Sequence, residues 1–291
     1  MEDQLTKGKE TLASSSIIVC GVARDCGRNL KKNIKVIDML CNLAKEYQVI
    51  IFENDSTDNT KQVLKDWKDN RPNVYVSLND FNQLTIPKKE KGLKINPLFS
   101  CSRIEKMAKY RNFYLDYIEQ NNIVGDYVVV LDLDVNKIFI NGLIQSFSFI
   151  NDWDAITANG YSRAFSSRFR RRYHDTYALI EQGKATIPKK EEDIVADQYR
   201  LAKLVPGMPL IPVLSAFGGL TIYRREAING CRYGVLKNND ETIECLTEHS
   251  FLYNQMKAKG YDKICINPEM QLKYQTQVFN TIKRFFKKFR K

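Results

Sequence analysis

The run Tyr127-Val128-Val129-Val130-Leu131 ends in Asp132-Leu133-Asp134, and no other stretch limits so closely what this chain can fold into. Consecutive valines flanked by apolar residues favour an extended strand covered on both faces, the pattern of a central strand in a parallel sheet. Carboxylates fit only where such a strand leaves the core, so Asp132 and Asp134 mark its carboxyl end. Side chains alternate along a strand, which turns the two acids the same way. In open α/β sheets, ligands lie beyond the carboxyl ends of the strands. Paired carboxylates there suit Mg2+ or Mn2+, which take oxygen ligands and share them with substrate phosphates. A solvated Asp-x-Asp turn is the plainer alternative.

Three further stretches read as strands: Ile17 to Val22, Val49-Ile50-Ile51-Phe52, and Val74 to Leu78. Apolar residues at helical spacing separate them, as in Leu30, Ile34, Ile37 and Cys41, and again in Val63, Leu64 and Trp67. A third helix, from Arg103 through Ile118, precedes the strand at Tyr127. Four strands alternating with helices predict an α/β fold, Rossmann-like, with a mostly parallel central sheet flanked by helices. No Gly-x-Gly-x-x-Gly follows the first strand and no Walker lysine loop is present, which counts against a dinucleotide enzyme and a P-loop NTPase.

The second strand opens into Glu53-Asn54-Asp55-Ser56-Thr57-Asp58-Asn59-Thr60, a second set of acids at a strand end. Ser56 or Thr57 suits a helix N-cap, with Asp58 in the first turn. Glu53 and Asp55 are placed to hydrogen-bond ribose hydroxyls or a base edge. Arg103 and Arg111 lie two turns apart on one helix face, within reach of a diphosphate, although an ordinary solvated arginine is an equal reading for Arg103. His174, two residues after an arginine-rich run from Arg163 to Arg172, reads as a solvated loop imidazole.

A chain of 291 residues, 43% of them hydrophobic, can bury a full core. Its net charge of +11 raises the question of nucleic acid, but much of the excess lies in the last dozen residues, and no nucleic-acid partner is expected. The seven cysteines are scattered, without a C-x-x-C pair, which predicts free thiols and a reducing cytoplasmic setting. No apolar run is long enough to span a bilayer. Residues 1–12 read as a flexible polar leader. Residues 275–291 place Val278, Phe279, Ile282, Phe285, Phe286 and Phe289 on one face of a helix and basic residues on the other. Such a tail either lies on an anionic membrane surface, at the inner face of the membrane, or packs on its own domain.

Strand plus Glu53-Asn54-Asp55-Ser56-Thr57-Asp58, helix plus Arg111-Asn112, and strand plus Asp132-Leu133-Asp134, in that order, resemble the nucleotide-sugar half of a GT-A fold glycosyltransferase. The F-E-N-D-S-x-D form is similar to capsule-associated mannosyltransferases and their bacterial relatives. The likeness is close over residues 16–161 and looser beyond. It departs from the usual D-D-G/S-S-x-D-x-T motif in having Glu53 and Asn54 at the first two positions. It implies one GT-A domain over 13–274, with a nucleotide-sugar half (13–161) and an acceptor half (162–274), then the amphipathic tail.

By the same resemblance, a UDP- or GDP-linked sugar is the donor and a glycan or lipid-linked molecule the acceptor, in surface polysaccharide synthesis. The late Glu248-His249 pair supplies a third metal ligand in His249, beside Asp132 and Asp134. Glu248 faces the reacting sugar and is the first choice of base if transfer inverts, with Asp197 second. Arg24 and Arg111 assist the diphosphate, and Gly218-Gly219 lets the backbone approach the donor, unless the pair serves only a bulge or hairpin. A nucleotidyltransferase making nucleotide sugars is the rival enzyme, and a basic nucleic-acid-binding protein the rival outside enzymes.

Overall fold

The computed structural model describes residues 2–163, 170–183 and 187–274. The first half runs α1 (Glu2–Ser14), β1 (Ser16–Ala23), α2 (Gly27–Cys41), β2 (Glu46–Asn54), α3 (Thr60–Asp69), β3 (Val74–Asn79), α4 (Cys101–Gln120) and β4 (Tyr127–Asp132). There follow β5 (Lys137–Ile138), α5 (Ile140–Ser146), β6 (Ala155–Arg163), β7 (Arg171–Tyr173), β8 (Ile180–Glu181) and α6 (Glu191–Arg200). The last described elements are β9 (Ile211–Ser215), β10 (Leu220–Arg224), α7 (Arg225–Ile228), α8 (Glu248–Ala258) and β11 (Ile264–Lys273).

The expected α/β architecture is the one observed. Strands β3, β2, β1 and β4 lie side by side in that order, all parallel. β10 then runs antiparallel between β4 and β6, and β11 is again parallel to β6. The chain leaves β1 in one direction to build β2 and β3, then returns through α4 to place β4 on the other side of β1. That reversal puts a crevice between the carboxyl ends of β1 and β4, where Val22 stands opposite Asp132.

Burial on both faces explains the apolar strands. Ile17, Val19, Ile51, Val129 and Leu131 face a layer containing α2 and α3, while Ile18, Cys20, Ile50, Val128 and Val130 face α4 and α8. Asp132 shares its parity with Val128 and Val130, so it emerges on the α4 and α8 side.

The N-terminal stretch differs from expectation. Residues expected to be a flexible leader form α1, which packs on α5 with Leu12 fully buried. Leu5, Gly8 and Leu12 share one helix face. Gly8 permits the contact, since a Cβ there would come within 2.2 Å of the Ile144 carbonyl oxygen. Two leucines and a glycine are too little apolar surface to stand out in a polar sequence.

The segment carrying Gly218 and Gly219 is not a hairpin. β9 pairs with β11, whereas β10 inserts between β4 and β6. Residues 164–169, within the arginine-rich run, and 275–291, the expected amphipathic tail, lie outside the described residues. No helix among the described residues is long and apolar enough to cross a membrane.

Candidate active site

A cavity of about 390 Å³ opens at the β1–β4 crevice. One wall carries Arg24, Asn54 and Thr85, and α4 adds Arg103, Tyr110 and Arg111. Asp132 and Asp134 lie between these and a far wall of His174, Asp175, Tyr177, Phe217, Glu248 and His249. A larger cavity, about 800 Å³, lies beside the start of β11 and is lined by residues such as Gln4, Met208 and Ile264. None of the expected site residues borders it, so chemistry rather than size selects the smaller one.

The loops after β1 and β2 lock together. Asp25 accepts the Thr57 amide (2.7 Å), Ser56 accepts the Asp25 amide (3.0 Å), and Asp58 accepts the amides of Gly27 (3.0 Å) and Thr60 (2.9 Å). Asp58 therefore serves the N-termini of α2 and α3 together, where the helix dipole favours an anion. Ser56 and Thr57 do not cap α3, whose N-cap residue is Asn59.

Glu53 and Asp55 do not border the cavity. Glu53 is fully buried and accepts the Ser56 amide at 2.8 Å. Asp55, at φ 53°, accepts the Asn82 amide at 2.7 Å and lies 3.9 Å from Arg24. Both acids shape the loops, and Asn54 is the octet residue that reaches the cleft. Arg24 also donates to the Gln83 carbonyl and to Thr85, which ties the 80–85 loop to the cleft wall.

At the centre, Arg111 is clamped between two acids from different elements. Its Nε donates to Glu248 at 2.9 Å, its Nη2 to Asp132 at 3.2 Å, and its Cζ lies over the Phe217 ring, 4.7 Å from the ring centre. Tyr274 donates to the other Asp132 oxygen at 3.0 Å. Burial raises the Asp132 carboxyl against the pull of Arg111 and Tyr274. Burial would raise Glu248 too, but His249, Arg111 and Arg103 hold it below its ordinary value.

Asp134 stands exposed in the cleft, and among the described residues no other side chain donates to its carboxylate. The surrounding protein and neighbouring Asp132 raise it to about 6. A cation there would relieve this repulsion, so the pair fits a divalent ion held by one or two carboxylates and completed by substrate phosphates.

The expected convergence of Asp132, Asp134 and His249 into one ligand set is not found: no three His, Cys, Asp or Glu residues among those described are grouped to hold a metal. His249 is buried and stacked on Phe217 at 4.0 Å, and burial, with Arg111, lowers its pKa to about 3. Both its ring nitrogens lack hydrogen-bond partners among the described residues.

Asp197 lies on α6, away from the cleft, and pairs with Arg200 at 2.7 Å. Gly218 and Gly219, at φ 63° and 92°, shape the cleft wall without bordering its cavity. A Cβ on Gly218 would lie 2.0 Å from the Ala158 carbonyl oxygen, and one on Gly219 would lie 2.2 Å from the Tyr274 hydroxyl. We predict that Gly219→Ala displaces Tyr274 from Asp132 and costs about 1–3 kcal/mol, read as a lower urea midpoint. An unchanged midpoint would show that the turn tolerates a side chain.

His174, expected in solvent, borders the cleft and stacks on Tyr274 at 3.6 Å. Asp175, Tyr177 and Tyr274 are site residues that sequence reasoning missed. They follow no motif and reach the cleft because β7 pairs with β6 and β11 carries its last residues past β6.

The cysteines also differ from expectation. Cys101, at the start of α4, is disulfide-bonded to Cys245, just before α8, while the other five are free and buried. Their separation of 144 residues hid the pairing.

A parallel 3-2-1-4 run of strands with carboxylates and an arginine at its switch point defines a Rossmann-like, doubly wound architecture. The chain belongs to the cryptococcal mannosyltransferase 1 family, whose profile matches residues 23–268. The resemblance to capsule mannosyltransferases drawn from the motifs is thereby borne out. Among curated proteins none matches the sequence.

Similar solved structures include the mannosyltransferase PcManGT from Pyrobaculum calidifontis in complex with GDP-Man and Mn2+, at 13% identity over 90% of this chain and 62% of that one, TM-score 0.41. S. aureus TarS 1-349 in complex with UDP-GlcNAc is 13% identical over 89% of this chain and 59% of that one, TM-score 0.45. Glucosyl-3-phosphoglycerate synthase from Mycobacterium tuberculosis with phosphoglyceric acid is 14% identical over 96% and 78%, TM-score 0.46. The chain spans about three fifths of the first two.

Proposed function

We propose that this protein is a metal-assisted glycosyltransferase that moves a sugar from a nucleoside diphosphate to a hydroxyl of a glycan or lipid-linked acceptor. The observation that carries the reading is Arg111 itself. It is buried at the cleft, held by Asp132 and Glu248, and its Nη1 has no hydrogen-bond partner among the described residues. An unsatisfied buried guanidinium nitrogen is costly unless an anion completes it. A diphosphate is such an anion, and the family description makes mannose the first sugar to test.

Breaking the bond between sugar and diphosphate builds positive charge on the ring, an oxocarbenium-like character, and negative charge on the departing group. Arg111, fixed in advance, meets that negative charge without reorganising, and Arg103 lines the same cleft. Asp134 and Asp132 would hold Mn2+ or Mg2+, which when bound supplies Lewis acidity at the diphosphate oxygens. Glu248, ion-paired and held below its ordinary pKa, suits orienting Arg111 better than accepting a proton.

The test is thermal unfolding against GDP-mannose and UDP-sugars, with and without Mn2+. Ligand at about one hundred times Kd stabilises the fold by about 2.7 kcal/mol. A metal-dependent rise with a nucleotide sugar, together with its slow hydrolysis, is expected. Release of pyrophosphate from a nucleoside triphosphate would instead identify a nucleotidyltransferase.

For residues 275–291 the proposal is attachment to an anionic cytoplasmic leaflet, supported by the basic and aromatic faces of that sequence. Removal of this segment should abolish sedimentation with phosphatidylserine vesicles while donor hydrolysis persists. Sedimentation unaltered by the deletion refutes the attachment.

A further inference from the structure

Four carboxylates border the cleft, and three are accounted for: Asp132 and Glu248 grip Arg111, and Asp134 faces the proposed cation. Asp175 is the fourth. It follows β7 and accepts two backbone amides, that of Gly218 at 3.2 Å and that of Ala178 at 3.4 Å. No cation lies within ion-pairing distance of it among the described residues, although the buried Lys189 ammonium acts on it from further off, and burial, with Asp132 and Glu248, raises it to about 6. A carboxylate in this setting is suited to neutral hydroxyl donors rather than to an anion.

Its place across the sheet identifies which hydroxyls. In the order β2, β1, β4, β10, β6, Arg24 and Asn54 stand at the β1–β2 end and the diphosphate groups Asp132, Asp134 and Arg111 near the middle. Asp175 stands on the β6 side. A nucleoside diphosphate sugar is linear in the same sense, with the nucleoside at one end, the diphosphate in the middle and the sugar at the other end. The neighbours of Asp175 are rings, Phe217 and the stacked His174–Tyr274 pair. Burial, with Arg172, lowers His174 to about 4, so it is a neutral surface at pH 7 for the apolar face of a pyranose.

The geometry points to Asp175 as the residue that receives hydroxyl groups of the transferred sugar and so determines which hexose the cleft accepts. This rests on the reading of the cleft as a nucleotide-sugar site. The carboxylate keeps its register through Gly218, which gives that glycine a part in sugar recognition without touching the sugar.

The test compares Asp175→Asn with wild type for binding of GDP and GDP-mannose, and of UDP and UDP-glucose, by calorimetry in Mn2+. Loss of a charged hydrogen-bond acceptor should weaken the intact nucleotide sugar about 10- to 100-fold and leave the bare nucleotide unchanged. Should the variant fail to fold, monodeoxy donors offered to wild type give the same answer. One missing hydroxyl must cost a comparable factor, and Asp175→Ser, if folded, must be indifferent to that loss. Equal losses for nucleotide and nucleotide sugar overturn the assignment. So does unchanged donor affinity with slowed transfer, which would make Asp175 an acceptor-side group. Wild type binding neither ligand would sink the glycosyltransferase reading itself, a separate outcome.

Discussion

An Arg111→Met variant is expected to lose about 3–5 kcal/mol of stability at pH 7.5 and, with it, binding of nucleoside diphosphates. The side chain is 4% exposed and bridges Glu248, 6% exposed, and Asp132, 24% exposed. Removing one member of a buried ionic cluster leaves the others charged without compensation, and that penalty exceeds the value of the pair itself. The cost should depend on pH with a definite sign. In wild type, Glu248 lies below its ordinary pKa, so its contribution is present above the unfolded value, about 4.3, and is lost as pH falls through the folded one. Without Arg111, burial raises both carboxyls, and the fold then favours their protonated forms.

The difference between variant and wild type should therefore be widest near neutrality and narrow below about pH 5. Urea unfolding at pH 7.5 and pH 5 measures it, and a gap independent of pH would refute the clamp. Adding Glu248→Gln to the variant should recover part of the loss, because the partners are coupled. Arg111→Lys keeps the charge but cannot make both bonds from one planar fork, so it should retain more stability than diphosphate affinity.

The contrast between motif and position explains how far the sequence could be read. Periodicity located β1, β2, β3 and β4 and their helices, because strands buried on both faces must be apolar throughout. The acids at their ends were visible for the same reason: charge stands out where a core strand stops. Which acid does what was not visible. Glu53 and Asp55 sit in the most recognisable motif, yet they hold loops, since a tight turn after a strand also needs acceptors for its amides. Asp175 and Tyr274 have no local signature and reach the cleft through the pairing of β6 with β7 and β11. Leu12 shows the same limit at the other end, where a sparse apolar face matters only because α5 is there to meet it.

Reduction of the Cys101–Cys245 disulfide should lower the melting temperature by on the order of 10 °C, and Cys245→Ser should do the same without reductant. Loss of a native disulfide costs about 2–5 kcal/mol, and in a protein of this size each kilocalorie moves Tm by roughly 2–4 °C. The long enclosed segment, a separation of 144 residues, places the expectation toward the upper end of that range. The bond joins the start of α4, which carries Arg103 and Arg111, to the approach to α8, which carries Glu248 and His249. Its loss should therefore also weaken nucleoside diphosphate binding, by loosening the two elements that clamp Arg111.

The local contacts around the bond limit that second effect. Glu244 accepts the Cys101 amide at 2.8 Å, the Cys245 amide donates to Phe99 at 3.2 Å, and the Tyr177 hydroxyl donates to the Cys245 carbonyl. These bonds persist when the sulfurs part, so binding should fall several-fold while the fold remains intact at 25 °C. Thiol titration in denaturant decides the premise: five reactive thiols are expected before reduction and seven after. Seven at the outset, with a Tm indifferent to reductant, would mean that the two sulfurs face each other unbonded and that hydrogen bonds alone hold α4 to α8.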